Sequence, residues 1–128
     1  MKRAHLIVGI VTLLAFAGTG QVMRSVLGVP QTEPVLRSLY RSSHLYIFWV
    51  ALLNLALGCY WQDLAPGWRR ATQRAGSALI LLAAPVLLAA FFVEPGRGHI
   101  DRPVTSVTLL LMLPAALAHL IAAVAPKP

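Results

Sequence analysis

Residues 75–93 read AGSALILLAAPVLLAAFFV, nineteen positions without a charged side chain. As a helix rising 1.5 Å per residue, a stretch of this length crosses the hydrocarbon of a bilayer, which takes about 20 apolar residues. Charges stand on both flanks: Arg69, Arg70 and Arg74 before it, Glu94 and Arg97 after it. Three more runs of the same kind occupy residues 4–23, 44–61 and 104–125. The expected fold is therefore all-α: a polytopic integral membrane protein, built as a four-transmembrane-helix bundle in a single domain over residues 1–128. No internal repeat or low-complexity linker divides it.

Composition points the same way. Of 128 residues 58% are hydrophobic and 12% charged, and the mean hydropathy is +0.72. A soluble domain carries about 25% charged residues to wet its surface, and a chain this small cannot hide so much apolar area inside itself. The net charge of +7 does not signal nucleic acid, because the eleven Lys and Arg all lie between or outside the apolar runs. There they reach headgroups and anionic lipid. Cys59 is the sole cysteine, which excludes an intramolecular disulfide.

The connections have distinct characters. Between the first two runs, Pro30 and Pro34 break the chain. From Pro34 onward Val35, Leu36, Leu39 and Tyr40 share one face while Arg37 and Arg41 sit on another, which predicts a short interfacial helix running straight into the second span. Trp61, Trp68 and Pro66-Gly67 read as an aromatic belt around a turn. The third connection holds Glu94, His99 and Asp101 and is the most polar. An alternative for residues 1–17 is a cleaved signal peptide, with Lys2-Arg3, an apolar stretch and Ala15-Phe16-Ala17. The apolar run, however, continues through Val22 and Met23 to spanning length. Orientation rests on a small difference: six Lys and Arg on the side of the amino terminus against five on the other. With the basic pair before the first span, this favours the amino terminus inside.

Polar groups inside the spans carry the remaining information. Asn54 lies about ten residues into the second run, near the expected midplane, on a face with His44, Ile47, Ala51 and Gly58. Thr12 lies on a comparable stripe of the first run and Thr108 and His119 on one of the fourth, a pattern that lets helices approach and hydrogen-bond. Pro85 and Pro114 free the carbonyls of Leu81 and Leu110 at similar depth. Packing against one of those carbonyls is the expected role of Asn54, and a polar cavity at a broken helix is the functional alternative.

His119, His44 and His5 are the candidate haem b ligands, since two histidines in a helical bundle can hold that cofactor. His44 and His119 lie near opposite faces. His5 with His119, or His44 with His99, match in depth, and an antiparallel homodimer would bring His44 toward His119 of a second copy. His5, beside Lys2 and Arg3, is expected among headgroups. Glu94, His99, Asp101 and His44 match no metal motif, and Glu94 and Asp101 suit loop capping and ion pairing better, so no metal site is expected. No nucleophile–base pair and no soluble lobe argue for an enzyme. No carboxylate lies inside a span, so a proton-coupled antiporter lacks its coupling group. The expected function is an interaction or accessory role in the lipid bilayer, as a homo-oligomer or with a membrane-complex partner. A haem- or quinone-associated redox component is the alternative, and a small-solute transporter the second.

Overall fold

A computed structural model describes residues 1–97 and 100–124. Four α-helices make up nearly all of it: α1 (Lys2–Ser25), α2 (Pro34–Cys59), α3 (Trp68–Val93) and α4 (Pro103–Val124). All four are long and apolar enough to cross a membrane, and no strand occurs among the described residues. The helix predicted from Pro34 is continuous with the second span, so α2 gains ten residues at its start over the apolar run alone. Pro34 suits the first helical turn, where its missing N–H has no partner to lose. Pro85 and Pro114 lie inside α3 and α4, and each helix continues through its proline.

The helices pair in order. α1 packs on α2 and α3 on α4, while α2 lies against α3 and α1 also touches α3. Two glycines set how closely α1 and α2 approach. A Cβ on Gly9 would stand 2.9 Å from the backbone nitrogen of Leu55, and one on Gly58 would stand 3.0 Å from that of Leu6. Each glycine thus seats a leucine of the facing helix, and the reciprocal pair fixes the register of α1 against α2. This is the small-residue packing by which membrane helices gain van der Waals contact. Two apolar clusters fill the interior. One joins Val29, Tyr40, Ile47 and Phe91, and the other Val50, Ala83, Ala84 and Leu87.

The polar third connection is tied down from both sides. Glu94 is 2% exposed, and its carboxylate accepts the backbone N–H of Val104 at 2.7 Å, that of Thr105 at 3.1 Å, and the Thr105 hydroxyl. It thereby caps the start of α4 from ten residues upstream, where the helix dipole favours an anion. Arg102 Nη1 donates to the Leu39 carbonyl and to the hydroxyls of Ser42 and Ser43, and its guanidinium lies 5.6 Å from the centre of the Tyr46 ring. These contacts anchor the α3–α4 connection on α2. Replacing Glu94 by Ala leaves the first N–H groups of α4 without acceptors. The expected cost is about 1–3 kcal/mol, read as a lower melting temperature in detergent, with Glu94→Gln intermediate.

Candidate functional site of paired histidines

The site begins with an amide. Asn54 lies about one and a half turns before the end of α2 and is completely buried. Its Nδ2 donates to the Val50 carbonyl one turn earlier, at 2.8 Å. That bond orients the side chain, because only the nitrogen of an amide can donate. Asn54 Oδ1 is thus turned toward α1, where it lies 2.8 Å from His5 Nδ1. An amide oxygen only accepts, so His5 Nδ1–H is the donor. In the neutral ring the other nitrogen, Nε2, is then bare. His5 is 0% exposed, and its Nε2 has no hydrogen-bond partner among the described residues.

Two aromatic side chains neighbour the His5 ring. His119 of α4 has its ring centre 6.2 Å from that of His5, with the planes at 78°. The Trp61 ring, just past the end of α2, lies 5.8 Å from His5 and 6.0 Å from His119. Trp61 cannot satisfy His5 with its N–H, because Nε1 donates to Asp63 Oδ1 at 2.9 Å. His119 is held from the other side, with Nε2 2.9 Å from Ser77 Oγ on α3. Its Cδ2 faces Gly76, where a Cβ would come within 3.2 Å. With the Cδ2–Nε2 edge against α3, the opposite vertex of the ring, Nδ1, points away from that helix. Each histidine is thus tethered through one nitrogen to a neighbouring helix.

A cavity of about 280 Å³ opens beside this cluster, lined among others by Tyr60, Trp61, Gln73, His119 and Leu120. Two donors near it are already engaged. Gln73 Nε2 donates to the Gln62 carbonyl at 2.9 Å, and Arg69 Nε donates to the Ala122 carbonyl at 2.8 Å, near the end of α4. Acceptors remain on its lining, a ring nitrogen of His119 and the Gln73 amide oxygen, and the buried His5 ring packs beside the lining rings of Trp61 and His119. The arrangement suits a cation or a hydrogen-bond donor.

His44 is elsewhere. Thr19 donates its hydroxyl hydrogen to the Phe16 carbonyl at 3.0 Å, so its contact with His44 Nδ1 at 3.0 Å is one in which the imidazole N–H donates. The His44 ring stacks on Phe16 with centres 4.1 Å apart. Thr19 lies fourteen residues beyond His5 on α1, roughly 21 Å along the helix. His44 therefore shares no site with His5 or His119 within one chain. The pairing of His44 with His99 lies outside the described residues.

The other polar positions take structural places. Thr108 bonds back to the Val104 carbonyl at 2.7 Å. Thr12 and Pro85 line an apolar groove between α1 and α3. Asn54 bonds neither proline-freed carbonyl and sits toward the end of its helix, because α2 starts at Pro34 and its register brings Asn54 level with His5. His5 itself, expected among headgroups, is buried between the helices. Ser77 and Gln73 were not readable as site residues, and Trp61 read as belt. The Gly76-Ser77 pair at the opening of the third span was the available signal.

A haem between His5 and His119 meets a geometric obstacle. The three rings close a nearly equilateral triangle, so Trp61 lies in the plane midway between the histidines, within the radius of a porphyrin. A cavity near 280 Å³ also falls at the small end for organic ligands. The residues as arranged suit a smaller occupant.

Asn54→Leu removes the acceptor that holds His5 and strands its Nδ1–H. The expected loss is about 1–3 kcal/mol, measured by thermal unfolding in detergent, whereas Thr108→Val, which removes only a bond within one helix, should cost much less.

Searches against protein families, curated proteins and solved structures find no match for this chain.

Proposed function

We propose that the chain is a multi-pass integral membrane protein with an accessory role: it binds and holds a small ligand at the His5–Trp61–His119 cluster rather than turning over a substrate. Four apolar helices support the membrane setting. The observation that carries the binding reading is the buried, unpartnered Nε2 of His5, whose proton position Asn54 dictates. Leaving such an acceptor without a partner costs about 1–3 kcal/mol, and a protein retains that cost where a ligand offsets it.

With the basic pair Lys2-Arg3 favouring the amino terminus inside, the cavity opens toward the cytoplasmic face. The outward side of α4, with Leu110, Leu113, Leu117 and Ile121 exposed, faces lipid, a second copy or another membrane subunit. The protein works as a homo-oligomer or within a larger membrane complex.

The test is native mass measurement of the full chain purified in mild detergent, with an absorbance scan of the same sample. The wild type should remain in carbonate-washed membranes and carry a bound species that is lost from a His5→Gln/His119→Leu double variant. Release by carbonate would contradict the membrane setting. Masses of wild type and double variant that each equal their own bare chain would contradict the binding role. A visible b-type haem band would reinstate the redox alternative.

A further inference from the structure

We propose that His5 and His119 form a two-coordinate site for a cuprous ion, with the Trp61 ring beside the metal; this rests on the binding role argued above and names its ligand. The geometry carries it in three steps.

First, the two imidazoles present nitrogen lone pairs and are held in place. His5 donates Nδ1–H to Asn54 and leaves Nε2 bare and buried. When His119 donates Nε2–H to Ser77 Oγ, its Nδ1 becomes the bare nitrogen, on the side of the ring away from α3. Metal-bound histidines have this form: one nitrogen ligates while the other is fixed by a carbonyl or hydroxyl. Asn54 and Ser77 are the outer partners.

Second, the spacing suits one ion between two rings. The ring centres are 6.2 Å apart, close to the separation of two imidazoles that share a metal at about 2 Å from each nitrogen.

Third, the identity follows from what the site lacks and what it has. No group of three or more His, Cys, Asp or Glu that could hold a metal occurs among the described residues. A divalent ion would bring two charges to a pair of neutral imidazoles with no carboxylate as a ligand, and the cost of burying an ion rises with the square of its charge. Zinc also requires four ligands. A cuprous ion carries one charge and is content with two nitrogen ligands in line. The Trp61 π face, 5.8 and 6.0 Å from the two histidine rings and with its N–H engaged by Asp63, adds a cation–π contact.

The test uses the full chain in detergent, stripped with chelator and titrated without oxygen with cuprous ion supplied as its acetonitrile complex against a bicinchoninate competitor. Cys59 is free and exposed near the same end of the bundle, so Cys59→Ser serves as the reference protein. One ion per chain is expected, with quenching of tryptophan fluorescence and an X-ray absorption spectrum showing two nitrogen neighbours. His119→Leu and His5→Gln should each weaken binding at least ~10-fold, on the scale seen for metal-site partners. Trp61→Phe should keep the ion and lose most of the quenching. If His5→Gln fails to fold, His119→Leu carries the comparison.

Three results overturn the assignment: loss of copper on Cys59→Ser, equal uptake of zinc(II), or copper uptake by folded His119→Leu equal to that of the reference. A wild type that takes no copper, yet carries another species missing from the double variant, rejects copper and leaves the binding role standing. A wild type with neither rejects both.

Discussion

A polar group enclosed by apolar helices must find its partner inside the protein, and the Asn54–His5 hydrogen bond is where this constraint governs the molecule. The bond ties the first turn of α1 to the last turns of α2. It is possible only because Gly9 and Gly58 let the two helices close to backbone contact. It also decides the proton position on His5, through a chain that starts at the Val50 carbonyl. Two glycines therefore set the helix register, and one buried amide within it sets the tautomer of His5.

The two ends of the bundle use similar means for different results. At one end His44 is pinned by Thr19, stacked on Phe16 and close to the cluster of Tyr40 and Phe91. There Glu94 and Arg102 are fully engaged in anchoring the α3–α4 connection. Glu94 thus serves as a helix cap and Arg102 as a tie to α2. At the other end the donors of Trp61, Gln73 and Arg69 all go to nearby acceptors, and the imidazole nitrogens are left. The buried acceptor left at this end, His5 Nε2, locates the candidate site.

Much of the fold was legible in the sequence, because a spanning helix announces itself by length and apolarity within a single segment. The four spans and the continuous helix from Pro34 follow from that local information. The site was legible only in part. Asn54 and His119 stood out as polar residues within apolar runs, and the match in depth of His5 with His119 came from counting residues. Their partners did not, since partnership depends on how one helix is shifted and rotated against another. His5 read as a headgroup residue because Lys2 and Arg3 precede it, whereas the α1–α2 contact draws it inward. Trp61 read as belt, although its ring closes the histidine pair, and Ser77 had no signal beyond its place after Gly76. Such pairings are set by close approach at a few small residues, which periodicity does not encode.

The most direct test of the account is the nitrogen-15 spectrum of the histidine side chains in the metal-free protein, with His5 assigned by its loss in His5→Gln. The account requires a single slowly exchanging Nδ1–H tautomer for His5, with a coupling across the hydrogen bond to Asn54 and a pyridine-like Nε2. A proton on Nε2, or an even mixture of tautomers as in free histidine, would show that Asn54 does not hold the ring and would remove the basis for the site.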